Sequence, residues 1–268
     1  MGDCETDVID WRCCRRERSV GAEESPGAAY SLARVVLRPL MRTVTHRQWQ
    51  GMEHLPSSGG CVVVANHLSH SDPVPISDFI DAAGRRPRFL GKAELFDVPV
   101  LGRLLFSAGQ IPVQRESAHA GAALAAAVDE VRQGHCVVIY PEGTLTRDVA
   151  MWPMVGKTGA ARVWWETRCP VIPVAQWGAH ELLAPYARVP TVWPRPVMRV
   201  KAGPPLRLAS DDSTSPPDFR ALTSTIMSAI TALLGELRGE APPGAAFDPH
   251  TSHLPRTGNP RRRDEESH

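Results

Sequence analysis

Two short runs of consecutive apolar residues constrain this chain most. Cys61-Val-Val-Val64 and His135-Cys-Val-Val-Ile-Tyr140 are rich in β-favouring side chains, and each reads as a buried strand. Each run stops abruptly at a polar motif. Asn66-His67 follows the first, and Pro141-Glu142-Gly143-Thr144 follows the second. If the two strands are parallel, both motifs open on the same edge of one sheet, and sites gather beyond the carboxyl ends of such strands.

The rest of the chain fits that frame. Strand-like segments at 88–91, 110–113, 170–176 and 197–202 alternate with helical patterns at 73–83, 94–107, 119–133, 158–167 and 219–237. The expected class is therefore α/β, a mostly parallel sheet flanked by helices. Residues 1–28 are polar and without periodicity and read as a flexible tail. Residues 29–238 form the folded domain, and 239–268, rich in Pro, Gly, His and Arg, read as a disordered tail. Within the domain, 29–45 is an amphipathic helix that sets Leu32, Val35 and Leu40 against Arg34, Arg38 and Arg42. Such a helix suits the surface of an anionic bilayer, and it equally suits packing on the domain with its arginines in solvent.

Charge and cysteine usage narrow the function. Thirty Lys and Arg against 29 Asp and Glu argue against a general nucleic-acid binder. The six cysteines contain no C-x-x-C pair, which removes the usual zinc spacing. Cys61, Cys136 and Cys169 lie in or beside apolar runs and read as core thiols of a reducing compartment. No apolar stretch has the length of a membrane span.

His67 and Asp72 are the candidate catalytic pair. Asp72-Pro73 is a helix start, with aspartate at the N-cap and proline at the first helical position. On one regular helix, residues five apart point roughly 140° away from each other. A turn between strand and helix instead lets the Asp72 carboxylate reach one imidazole nitrogen and leaves the other to take a proton. The bland alternative is a helix cap beside a loop histidine. A metal-dependent hydrolase built on His67, His70 and Asp72 is a further alternative, although the first gap is one residue too long for the common His-x-His-x-Asp pattern. Gly156-Lys157-Thr158 is not a phosphate loop, because Met151 stands where that motif needs glycine. Lys157 remains a candidate cation beside the Glu142 loop. No G-x-S-x-G elbow is present, so direct transfer fits better than an acyl-enzyme.

Asn66-His67 through Asp72 resembles the N-H-x-x-x-x-D motif of the glycerolipid acyltransferases, most like the bacterial 1-acyl-sn-glycerol-3-phosphate acyltransferases. Three further blocks stand in the family's order: Gly109-Gln-Ile-Pro-Val-Gln-Arg115, Tyr140-Pro-Glu-Gly-Thr144 and Val171-Ile-Pro-Val174. Gly51-Met-Glu-His-Leu-Pro56 matches the usual lead-in, and Lys157-Thr-Gly159 the Lys-x-Gly that follows the third block. The likeness covers roughly residues 30 to 210. It departs after Thr144, where Leu145-Thr146-Arg147 replaces the more usual Arg-Ser.

The resemblance implies acyl transfer from acyl-CoA or acyl-carrier protein to the hydroxyl of a lysophosphatidate-like acceptor, with no metal or other cofactor. It implies His67 as base, Asp72 as its orienting carboxylate, and Asn66, Arg115, Glu142, Gly143, Thr144 and Lys157 as substrate-binding residues, the acceptor phosphate lying on the arginine and the Glu-Gly-Thr turn. It further implies a peripheral position on the cytoplasmic face of the cell membrane. A lysophospholipid acyltransferase for another head group stays open.

Overall fold

A computed structural model describes residue 35 and residues 38–99, 101–107, 109–113, 120–187, 189–208, 215–249 and 251. The expected flexible stretch 1–28, most of the first half of the 29–45 helix, Arg115 and the last residues of the chain lie outside that set.

Among the described residues the strands are β1 (His46–Gln50), β2 (Cys61–Ala65), β3 (Pro87–Lys92), β4 (Ile111–Val113), β5 (Cys136–Ile139), β6 (Val171–Trp177) and β7 (Val197–Ala202). They form one sheet in the order β1-β7-β6-β2-β5-β3-β4. Every neighbouring pair is parallel except β6 with β7. The helices are α1 (38–44), α2 (Pro73–Ala82), α3 (Leu101–Ser107), α4 (Ala120–Arg132), α5 (Gly159–Thr167), α6 (Ala179–Leu182) and α7 (Phe219–Arg238).

Burial explains why β2 reads as unbroken apolar sequence. Successive side chains of a strand point to opposite faces. Val62 and Val64 pack with Val128 of α4, Val163 of α5 and Ile226 of α7, whereas Cys61, Val63 and Ala65 pack with Ile76, Phe79 and Ile80 of α2. Both faces are covered, so neither tolerates a polar residue. Each such fully buried Val or Ile contributes about 1.5–3 kcal/mol. Cys61, Cys136 and Cys169 are free thiols in this core.

Four features differ from the sequence expectation. The 94–107 helix is interrupted: a single 3-10 turn at Ala93–Leu95 precedes α3. Pro99 disfavours helix in the residue before it and lacks an N–H of its own. The 29–45 helix stops before Thr45, and β1 follows at once, an edge strand with alternating exposure whose half-buried Trp49 meets Phe79 edge-on at 6.1 Å. Arg38 of α1 does not face away from the domain. Its guanidinium pairs with Asp78 and Asp81 of α2 at 2.6 and 3.1 Å. Finally, the chain does not lose its place at residue 239. Residues 239–249 turn back along the domain, where Phe247 pairs with Met154 and accepts the Val155 N–H at 3.0 Å.

Candidate active site

Beyond Ala65 the pairing of β2 with β6 continues through side chains. The Asn66 amide donates to the Gln176 carbonyl (3.0 Å) and accepts the Gln176 N–H (2.8 Å), and the Gln176 amide donates to the Asn66 carbonyl (3.0 Å). Asn66 is fully buried. The expected substrate-binding role is therefore corrected to a scaffold role: both ends of its amide are committed to the main chain of β6. This clasp fixes the direction in which His67 leaves the sheet.

His67 is then held from three sides. Its N–H donates to Glu142 Oε1 (2.9 Å), and its carbonyl accepts the Thr146 N–H (2.8 Å). Its ring lies parallel to Tyr140, 4.2 Å between centroids with 14° between planes. Its Nδ1 sits 2.7 Å from Asp72 Oδ2. That contact puts the proton on Nδ1, because the carboxylate can only accept. Nε2 is left with its lone pair and makes no hydrogen bond to any described residue.

Asp72 stands at the N-cap of α2 with Pro73 following, as expected, but it makes no side-chain bond to the helix. Its carboxylate turns back. Oδ2 also accepts the Leu68 and Ser69 N–H groups at 2.5 and 2.9 Å, all inside a fully buried site. Three donors on one oxygen make this loop a preformed holder for the imidazole. The loop is pinned to the α6 region by Ser69 Oγ on the Leu183 carbonyl and Ser71 Oγ on the Ala179 carbonyl, 2.5 and 2.9 Å.

The Glu142 loop meets His67 because β2 and β5 are adjacent and parallel, with Val64 beside Ile139. Glu142 is buried, and its second oxygen accepts the Met154 N–H at 3.0 Å. Burial pushes its pKa up to about 8 against the downward pull of those two N–H bonds. Here too the expectation is corrected. Both Glu142 oxygens brace main chain, so the carboxylate is a strut under His67 and not a contact for a phosphate. Burial, with Asp72 nearby, likewise raises the Tyr140 pKa well above its ordinary value.

Gly143 and Lys157 do come together. Gly143 has φ +68°, and a Cβ there would lie 2.9 Å from Lys157 Nζ and 3.0 Å from its Cε. The lysine chain thus runs across the glycine and brings its ammonium to the turn, helped by the Lys157 N–H on the Pro141 carbonyl (2.8 Å). Thr144 is buried beside it. Gly143→Ala is expected to cost about 1–2 kcal/mol from the left-handed backbone alone and to displace the ammonium. A fall in Tm together with a raised acceptor KM checks this, and an unaltered KM would separate Lys157 from the acceptor.

The metal alternative loses its geometry. His70 is exposed and turns edge-on to Tyr186, 5.8 Å between centroids. Among the described residues no three His, Cys, Asp or Glu side chains converge on one point. Tyr140, Gln176, Ser69 and Ser71 were assigned no role from sequence. The signal for Tyr140 was its position at the end of the strand next to β2.

Residues 46–177 match the family model described as Acyltransferase. The likeness to that family lies in this segment, just under half of the chain. The match takes in the dyad, the Glu142 turn and Lys157, and it ends on the last residue of β6. The chain is 31% identical over 136 residues to a chloroplastic 1-acyl-sn-glycerol-3-phosphate acyltransferase of Brassica napus, covering 50% of this chain and 38% of the relative. It is 33% identical over 91 residues to the lyso-ornithine lipid O-acyltransferase of Rhodobacter capsulatus, covering 34% of this chain and 31% of that one. The matched part of the chain therefore spans well under half the length of these curated relatives. The fold of the chain is that of the 1-acyl-sn-glycerophosphate acyltransferase solved from Thermotoga maritima: TM-score 0.56 at 21% identity, over 80% of this chain and 84% of the other.

Proposed function

We propose that this acyltransferase moves a fatty acyl group from a thioester, acyl-CoA or acyl-carrier protein, to the free hydroxyl of 1-acyl-sn-glycerol 3-phosphate, giving phosphatidate. The observation that carries the reading is the 2.7 Å contact of His67 Nδ1 with Asp72 Oδ2, with Nε2 unbonded. Nε2 takes the hydroxyl proton as the alcohol oxygen attacks the thioester carbonyl. The tetrahedral intermediate then collapses, the C–S bond breaks, and the thiolate leaves with the proton returned from the imidazolium. Asp72 holds the Nδ1–H tautomer and steadies the transient positive charge. The face of Tyr140, stacked on the ring, favours the same charge.

The acceptor phosphate sits near Lys157 and Arg115 in this reading, and the chain works as a peripheral protein on the cytoplasmic face of the cell membrane. Among the described residues no helix is long and apolar enough to cross a membrane. The Rhodobacter relative, named for a lyso-ornithine lipid, favours a second reading in which the head group differs.

The test is purified protein assayed against a panel of lysolipids, with acyl-CoA and acyl-carrier protein as donors. Fastest turnover of lysophosphatidate is expected. Preference for a zwitterionic or amino-acid head group would move the reading to the second, and no transfer to any lysolipid would overturn both.

A further inference from the structure

Most of the exposed large apolar side chains of the described residues lie in segments that leave or enter the sheet at one edge. They occur before β1 (Leu40), between β3 and β4 (Leu95), between β5 and α5 (Val149), and between α6 and β7 (Val189, Val192, Trp193). Strand direction shows that these segments share an edge. β3, β5 and β6 run with β2 and end there, while β7 is antiparallel to β6 and β1 is parallel to β7, so both of these begin there. His67 and the Glu142 turn leave the sheet at that same edge. Among the described residues, the opposite-edge connections at 51–60, 83–86, 133–135, 168–170 and 203–208 expose no large apolar side chain, and the exception on that side is Phe106, at the end of α3 ahead of β4.

The 189–196 segment forms the most exposed part of this edge. Trp193 is 81% exposed and Val189 77%. Arg195 joins the segment to α1, its Nη2 donating to the carbonyls of Arg42 (2.7 Å) and Thr45 (3.2 Å), so the indole and Leu40 share one support. Residues 38–46 and 189–197 contain no Asp or Glu. Arg38 is spent on α2, but among the described residues neither Arg42 nor Arg195 has a carboxylate partner. An indole, branched aliphatics and the exposed Arg42 guanidinium on one rim match the boundary of an anionic bilayer, where apolar contact and surface charge act together.

We infer that this edge docks on an anionic lipid surface, with Trp193 entering the interface and Arg42 facing the head groups, braced by Arg195. The inference rests on the acyl-transfer reading in one respect: docking by this edge presents a lipid-borne hydroxyl to His67. The anchor is separate from the N-terminal helix, because Trp193 lies about 150 residues further along the chain and reaches the surface through the β6–β7 connection.

The test is co-sedimentation of the full chain, without substrate, with vesicles of phosphatidylcholine alone and of phosphatidylcholine mixed with phosphatidylglycerol. Wild type is expected to partition onto the mixed vesicles. Trp193→Ser lowers that partition roughly tenfold or more, as the loss of one interfacial aromatic requires, and Arg42→Gln erases most of the preference for the anionic lipid. A thermal melt reports whether Trp193→Ser still folds, and Val192→Ser probes the same rim if it does not. Wild-type partition by a folded Trp193→Ser or Val192→Ser protein overturns the inference. A solution dimer that Trp193→Ser dissolves also overturns it, by assigning the edge to a second copy. Binding is read without turnover, so a protein that docks but transfers no acyl group upholds the surface and sinks the proposed reaction. One that acylates a soluble short-chain acceptor yet ignores vesicles does the reverse.

Discussion

Replacing His67 with alanine is expected to lower kcat by about 10²- to 10⁴-fold, the range for removing a positioned general base, while leaving the protein folded. The second half follows from what the substitution keeps. The bonds that tie position 67 to Glu142 and Thr146 are main-chain bonds and survive. Asp72 Oδ2 still accepts from Leu68 and Ser69. What is lost is the imidazole, with its stacking on Tyr140 and its place as one of the three donors on Asp72 Oδ2. Measured kcat beside a thermal melt separates the two effects, and wild-type turnover by pure His67→Ala would end the base mechanism.

Asp72 is a harder residue to remove. Asp72→Asn keeps the shape but offers an amide N–H₂ or a neutral oxygen to an oxygen site that now takes three donors. Activity falls for want of the correct tautomer, and stability falls with it. Asp72→Ala orphans two buried N–H groups, at about 1–3 kcal/mol each. A contrast is therefore expected: loss of activity with a modest fall in Tm at position 67, where one donor to Asp72 goes, and loss of activity with a larger fall at position 72.

The parts of the molecule that could be read from sequence depend on local chemistry. Cys61–Ala65 and Cys136–Ile139 are legible because two covered faces force unbroken apolar runs. The helix start at Asp72-Pro73 is legible because proline fixes its own φ. What was not legible depends on register. That Tyr140 would lie flat on His67, or Gln176 receive the Asn66 amide, requires knowing that β5 and β6 flank β2. The His46–Gln50 strand carries one apolar side chain, Trp49, in a polar pentapeptide, so nothing in its composition separates an edge strand from a loop. Glu142 is the sharpest case. Its turn predicts a ligand contact, yet both oxygens meet N–H groups supplied by residues distant in sequence, His67 and Met154.

That geometry makes Glu142 a residue whose loss should damage fold and activity together. Glu142→Ala leaves the His67 and Met154 N–H groups buried without acceptors, a cost of about 2–5 kcal/mol, and frees the catalytic loop to shift. A displacement of the base by about 1 Å is worth roughly 10²-fold in rate. Glutamine removes the ionisation together with one of the two acceptors. The folded carboxyl titrates near 8, above the ordinary 4.5. Between those values the folded state keeps a proton that the unfolded state has released. The stabilisation is thus complete below the ordinary pKa and is lost as pH rises through 8. Wild-type Tm is expected to fall across that window. Glu142→Gln, which cannot ionise, should show a flatter profile, set lower at the acid end because its N–H₂ cannot accept the N–H that one Glu142 oxygen now takes. Parallel Tm profiles for the two proteins would mean that Glu142 does not titrate between those limits. The buried strut would then be a permanent carboxylate, held ionised by the two N–H groups that also hold His67 in place.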